Sequence, residues 1–495
     1  MLFNSYAFLF LFLPLTLAGF FGLGRLGKNR AALAWLLGCS AFYYGWWNPP
    51  YVALIGASIL FNYGIGRYLS SPRASRRKPA LFLGLAANLG LLGYYKYANF
   101  FVSTVHDLGG QMRLESIVLP LGISFFTFQI VGHLVDAYRG TDKTGGLLEF
   151  ALFVLYFPQL IAGPIVQHRQ IVPQFKDPAI YRPRAENLSL GLTMFIVGLC
   201  KKVILADHLS AIAAPVFETA QAGGSLSTSV AWLGALAFTA QLYFDFSGYS
   251  DMAVGLGRML GINIPLNFNS PYQATSIIDF WRRWHITLSL FLRDYLYIPL
   301  GGSRRGKLDR YVNLLITMLL GGLWHGAGWT FVFWGWLHGC FLVVNHAWRG
   351  LRRTLGWPEV SQHWSAVLWG RGLTFLAVVV AWVFFRAESF SAAAALLSAM
   401  FLPTLEALGA VSTGDAVRVL AALGIAWFAP NSQQFLGLLP DGSPRAETEQ
   451  QPLAGRWEWL FRWQPSPAWA WAMALAAMMA LLFIPKGGEF LYYQF

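Results

Sequence analysis

Stretches of mainly apolar residues, each close to the length that crosses a lipid bilayer, follow one another along almost the whole chain. They lie near residues 5–24, 31–47, 50–67, 80–104, 116–136, 147–165, 188–206, 229–247, 311–325, 328–347, 366–386, 411–430 and 466–485, with 391–408 a weaker candidate. A spanning helix needs about 20 such residues, so the pattern predicts an all-α polytopic membrane protein of about 11–13 transmembrane helices. Several windows are short or broken by Pro and Gly, which predicts re-entrant and interfacial helices among them. The charge content agrees. Only 12% of the 495 residues are charged, whereas a soluble domain carries roughly 25% to keep its surface hydrated. Lipid replaces the missing polar skin. No repeat at a fixed period is evident, and one membrane domain over 1–495 is the simplest description. The polar stretch 431–465 reads as an extramembrane loop.

The formal charge of +13 suggests nucleic acid, but the placement of the basic residues makes that a remote option. They cluster between apolar runs, at Arg25–Lys28–Arg30, Arg73–Arg76–Arg77–Lys78, Arg304–Arg305–Lys307 and Arg349–Arg352–Arg353, as the positive-inside rule expects of cytoplasmic loops. Such loops suit anionic headgroups and anionic cytosolic substrates. Placing 25–30 and 69–78 inside puts Trp47–Pro50 and the N-terminus outside and 137–146 inside. The next basic loop, 166–187, also belongs inside, and a re-entrant 147–165 satisfies both. Phe157-Pro158 and Ala162-Gly163-Pro164 provide the break. The start, Met1-Leu2-Phe3-Asn4, has no basic residue before its apolar run and reads as a retained first span. Cys39, Cys200 and Cys340 sit in apolar stretches without metal-site spacing and read as small buried hydrophobes.

Three segments carry ionisable groups within apolar surroundings. In 276–298, a continuous helix would place Trp281, Trp284, Leu288, Phe291, Leu292 and Tyr295 on one face, pair Asp279 with Arg283, and set His285 at the edge of that face. On geometry alone this reads first as an interfacial anchor with a solvated histidine. In 311–339, His325 ends an apolar run among Gly321, Gly322, Gly326 and Gly328. A histidine there can stay neutral in lipid and still take a proton, and the glycines permit close helix packing. A histidine that merely bonds across helices is the alternative. In 239–251, Gln241, Asp245 and Tyr249 form a polar stripe that should face a cavity or a partner. Lys201 and Lys202 are expected to snorkel to the interface. His338 and His346 follow on the next span, without the carboxylate or thiolate company of a usual zinc site. Gly301–Leu308 departs from a phosphate loop at Leu308, where Ser or Thr must hold magnesium.

Together these segments resemble the membrane-bound O-acyltransferase superfamily, nearest its bacterial alginate O-acetyltransferase branch. The resemblance rests on QLYFDFSGYSDMAVGLG at 241–257, FWRRWHITLSLFLRDYLYIPLGG at 280–302 and LLGGLWHGAGWTFVFWGWLHG at 319–339. It is supported by YYKYANFF at 94–101, LPLGISFFTFQ at 119–129 and FPQLIAGPIV at 157–166. It implies a core over 119–347 and a central funnel or tunnel through which donor and acceptor approach from opposite faces. His325, in its Trp-His-Gly context, is implied as the catalytic residue, with His285 at a second position. The implied activity is O-acetylation of a secreted polysaccharide from the cytosolic thioester acetyl-CoA, a substrate rather than a bound cofactor. A periplasmic acetyltransferase partner and residence in a bacterial inner membrane, N-terminus periplasmic, are implied with it. Candidate donor- and acceptor-binding residues are Arg282, Trp324, Asp245, Tyr249, Arg304, Arg305 and Lys307, with no metal. Sister-branch transfer is the near alternative: D-alanyl groups to teichoic acid, or acetyl groups to cellulose or peptidoglycan. A transporter or a scaffold of an export complex is the non-enzymatic one.

Overall fold

A computed structural model describes residues 1–112, 114, 115, 117–357, 363–402, 411–444, 463–484 and 491. Among these residues the chain is helical, and the one β-like pairing is the isolated bridge between Leu438 and Pro444. Four helices among them are long and apolar enough to cross a membrane: Phe8–Arg25, Pro50–Leu69, Ala185–Gln221 and Trp364–Arg386. Phe390–Phe401 and Pro467–Leu482 are apolar but shorter. The chain is thus an all-α, multi-pass membrane protein. It forms two compact units, each discontinuous in sequence. One comprises Met1–Leu199, Tyr249–Leu266 and Leu436–Ile484, and the other Cys200–Gly248, Asn267–Phe435 and Pro485–Phe495.

Within the first unit the basic loops meet at one end. Arg77 donates to the carbonyls of Ala137 and Tyr138, at 3.0 and 2.8 Å. Ser70 lies against Thr144, and Asp142 lies 2.8 Å from His168. Loops 69–78, 137–146 and 166–187 therefore emerge together. Gly24, just before the loop at 25–30, packs directly on Tyr181. At the other end, the Tyr51 hydroxyl bonds the Val118 carbonyl and Asn99 bonds Ile117. The re-entrant reading of 147–165 explains how two basic loops share an end. Leu147–Leu155 has nine residues, a rise of about 14 Å, too short to cross. The chain then turns at Tyr156 into Phe157–Leu160. Residues 150–166 are buried in protein, where a broken backbone is tolerated.

The 80–104 window lies in one continuous helix, Arg77–Leu92 and Ala98–Asp107 joined through a π-helical turn at Gly93–Tyr97. The 116–136 window becomes helical only from Ile123, after a turn at Gly122. Phe390–Phe401 accounts for the described part of 391–408, and 403–410 lie outside the described residues. Of the polar stretch, Ser432–Leu436 forms a short helix, and 445–462 lie outside the described residues.

Three expectations are corrected, two of them in the second unit. Residues 276–298 are not one helix: Ile277–Arg283 and Ile286–Leu292 are separated by Trp284 and His285, and a π-helical turn follows at Arg293–Tyr297. Lys202 does not snorkel. It is buried, with its Nζ 2.6 Å from Asp207 and 2.7 Å from Asp245. A carboxylate as deep as Asp245 needs a countercharge, and the Lys201–Ala206 π-helical turn supplies one. Lys201 is half-buried and reaches Ser432 at 2.6 Å. The three cysteines are half-buried rather than buried, and none is joined in a disulfide. The expected Asp279–Arg283 pair is present at 2.9 Å.

Candidate functional site

The second unit brings the two histidines of the sequence reading together, by different local means. His325 is the last residue of the Lys307–His325 helix. Gly326 then takes an extended turn into the Trp329–Thr354 helix. A side chain at Gly326 would collide with the Phe331 ring, 2.2 Å from an added Cβ. Below this turn the two helices touch backbone to backbone. A Cβ at Gly322 would lie 2.3 Å from the Phe331 carbonyl oxygen, and one at Gly335 2.3 Å from that of Met318. Glycine at both places sets the distance between the helices, and so the position of His325 at their junction.

His285 is held by a break. Its backbone is left-handed, at φ 43° and ψ 53°, a region that costs a non-glycine residue energy and gathers at functional sites. Asn267 over-determines it. The Asn267 carbonyl accepts from the Ile286 amide at 2.9 Å. Its side-chain oxygen accepts from the Thr287 amide at 3.2 Å and the Thr287 hydroxyl at 2.9 Å. His285 Nδ1 lies 3.1 Å from the same amide oxygen. An amide oxygen only accepts, so Nδ1 carries the proton and Nε2 keeps the lone pair. The solvated anchor is excluded by burial, since His285 is 0% exposed.

The imidazole centroids of His285 and His325 are 6.2 Å apart. Trp324 stands beside both, at 6.2 and 5.0 Å. Phe246 presents an edge contact to His285 at 4.7 Å, and Trp334 and Phe385 present theirs to His325 at 5.1 and 5.4 Å. These rings exclude water and lower the local dielectric, which strengthens any hydrogen bond formed inside. His325 retains 4% exposure where His285 and His338 have none.

Other expected residues are placed elsewhere. Arg282 is exposed on the Ile277–Arg283 helix. Arg304 and Arg305 are exposed at the turn preceding the Lys307–His325 helix, and Lys307 is exposed at its first position. Asp245 is committed to Lys202 and also accepts from the Leu491 amide at 3.2 Å. Gln241 and Asp245 lie in the second unit and Tyr249 in the first, on the same Thr228–Met259 helix. Two further residues contribute, His338, weighed in the sequence only as a zinc ligand, and Asn267, which the sequence did not single out. His338 is fully buried and accepts a hydrogen bond from Trp281 Nε1 at 3.3 Å, with Trp334 between it and His325 at 4.9 and 5.1 Å. Its spacing of four from Trp334 on one helix was a usable signal. Asn267 offered none, because its contacts are irregular backbone eighteen residues from His285.

A model of MBOAT, the membrane-bound O-acyltransferase family, matches residues 95–384. The chain is similar to the probable alginate O-acetylase AlgI of Pseudomonas putida, 44% identical over 443 residues, 86% of this chain and 87% of that protein. It is similar to the peptidoglycan O-acetyltransferase of Helicobacter pylori, 43% identical over 432 residues, 81% of this chain and 80% of the relative. A more distant likeness, 28% over 287 residues, joins it to the teichoic acid D-alanyltransferase of Streptococcus thermophilus, covering 55% of this chain and 69% of that one.

Proposed function

The chain belongs to the membrane-bound O-acyltransferase family, and from that premise we propose that it moves an acetyl group from cytosolic acetyl-CoA across a bacterial inner membrane for O-acetylation of a secreted polysaccharide such as alginate. The observation that carries this reading is the His285–His325 pair, two imidazoles 6.2 Å apart within a wall of aromatic rings. Both relatives named for O-acetyl transfer, at 44% and 43% identity, act by name on a polysaccharide.

In the proposed step, His325 takes the proton from an acceptor hydroxyl as that oxygen attacks the thioester carbonyl. The C–O bond forms, the C–S bond breaks, and the leaving thiolate recovers the proton from the His325 imidazolium. A neutral imidazole performs such proton transfer near pH 7 and contributes typically ~10²–10⁴-fold. His285, with its proton held on Nδ1 by Asn267, offers Nε2 to position the donor or share the proton. Trp324 Nε1 and the backbone near Gly326 are candidate donors to the developing oxyanion. Arg304, Arg305 and Lys307 are exposed and suit the phosphates of the donor; Arg282, Asp245 and Tyr249 remain candidates for binding donor or acceptor. The basic loops gathered at one end of the first unit support a cytosolic position for that end under the positive-inside rule, and with it a periplasmic N-terminus. A central passage gives the donor and a periplasmic acetyltransferase partner, as relay to the sugar, access from opposite sides.

The test uses membranes containing the full chain and labelled acetyl-CoA, with and without a candidate polymer. His325→Ala, correctly inserted, is expected to lose label transfer by about 10²–10⁴-fold. Transfer at the wild-type rate would refute the assignment.

A further inference from the structure

Far along the chain from these histidines, the first unit contains a second imidazole cluster that acyl transfer does not use. His133 lies near the end of the Ile123–Arg139 helix, Asp142 in the following loop, and His168 at the start of the His168–Phe175 helix. Their side chains are 0%, 8% and 1% exposed. One ligand atom from each lies within 4.8 Å of the other two. Both Nδ1 atoms are aimed at a single oxygen, Asp142 Oδ2, at 3.0 Å from His133 and 2.8 Å from His168.

His133 is held at both ring nitrogens: Nδ1 hydrogen-bonds Asp142 Oδ2 at 3.0 Å, and Nε2 lies 2.7 Å from the Thr144 hydroxyl. Thr144 is fixed in turn by its amide, which donates to the Ser70 hydroxyl oxygen at 3.1 Å. His168 shares the carboxylate but is left unsatisfied. Its Nδ1 is 2.8 Å from the same oxygen without the alignment of a hydrogen bond, and its Nε2 is buried with no hydrogen-bond partner among the described residues.

We propose that His133, Asp142 and His168 form a binding site for a divalent transition ion of the zinc class. Two imidazoles and one carboxylate are borderline ligands that suit zinc over magnesium or calcium. Three protein ligands leave one tetrahedral position for water. The outer shell is built as metal sites require: Thr144 orients His133, and the Phe150 and Phe153 rings pack against both imidazoles at 5.1–6.5 Å. Gly66 is part of that construction, since an added Cβ would lie 2.6 Å from Thr144 Oγ1 and 3.1 Å from His133 Nε2. The ion ties loop 137–146 to the start of 166–187, the two chain segments on either side of the re-entrant turn.

The experiment titrates Co²⁺ into the tag-free, full-length protein in detergent after chelator treatment, and measures retained Zn²⁺ by elemental analysis. The wild type is expected to bind about one Co²⁺ per chain, with visible d–d bands that Zn²⁺ displaces. Asp142→Asn and His168→Gln should abolish the bands. Thr144→Val, which keeps all three ligands, should weaken binding by ~10–100-fold. A monodisperse wild type that shows no bands and retains no stoichiometric zinc overturns the proposal, as does unchanged binding in Thr144→Val together with either ligand variant. If the ligand variants fail to fold, the wild-type titration and Thr144→Val decide it. None of these readouts involves acetyl transfer, so the metal site and the proposed enzyme activity stand or fall separately.

Discussion

At the scale of single residues, the two central imidazoles are in opposite states of preparation. His325 is placed by its neighbours in sequence, a helix end followed by Gly326. His285 is placed by Asn267, a residue eighteen positions away that accepts from the Thr287 amide and hydroxyl and fixes the His285 proton. Asn267→Ala strands two buried donors and frees the imidazole to change tautomer. Each stranded donor costs about 1–3 kcal/mol, so the variant should unfold at lower temperature and lose acetyl transfer. Asn267→Asp restores an acceptor oxygen and should recover more activity than Asn267→Ala. Equal activity in the two variants would show that the amide oxygen does not set the histidine. His325 was legible as a candidate because ionisable groups in apolar runs are rare, and His285 only through the family resemblance of its Trp-Arg-Arg-Trp-His context. Asn267 was not, since an asparagine in an irregular segment carries no periodicity to read.

At the scale of elements, helix pairs are set by what cannot fit between them. Gly322→Ala or Gly335→Ala would drive a methyl group into backbone carbonyls, and overpacking of this kind typically costs about 1–3 kcal/mol. Gly350 lies on the same Trp329–Thr354 helix as Gly335 but meets nothing within 4 Å. Gly350→Ala should therefore be neutral or slightly stabilising, by up to about 1 kcal/mol. Thermal unfolding in detergent compares the two, and equal losses would contradict the close-contact account. A second element-level device is Lys202, which fastens the Ala185–Gln221 helix to the Thr228–Met259 helix through Asp245. Lys202→Met leaves the buried Asp245 unpaired, a loss of about 3–5 kcal/mol. Lys202→Met with Asp245→Leu should recover part of that loss, because a well-packed apolar pair replaces a buried ion pair at little cost. A double variant no more stable than Lys202→Met would refute the pairing. The lysine was misjudged in sequence because snorkelling is the default for a cation at a span's end; only the tertiary partner overrides it.

At the scale of the whole molecule, the distribution of charge sets topology. Four basic loops of the first unit converge on one end, and the nine-residue Leu147–Leu155 helix explains why crossing it does not change sides. Reporters fused near residues 141 and 180 should read out on the same face, the cytosolic one, and a reporter near residue 48 on the other. An outward reading near residue 180 would overturn both the re-entrant turn and the orientation.

What the amino-acid order determined on its own is the solvent and the kind of chemistry. Long apolar windows and few charges permit only helices in lipid, because a spanning backbone must satisfy its own hydrogen bonds. Glycine-flanked and aromatic-flanked histidines in these windows mark where a proton can be handled. The tertiary structure alone decided which polar groups meet. The break at His285, the Asp245–Lys202 pair and the convergence of His133, Asp142 and His168 all join residues from separate segments. Their geometry comes from buried groups finding partners once the helices have packed, and periodicity along one segment holds no record of a partner on another.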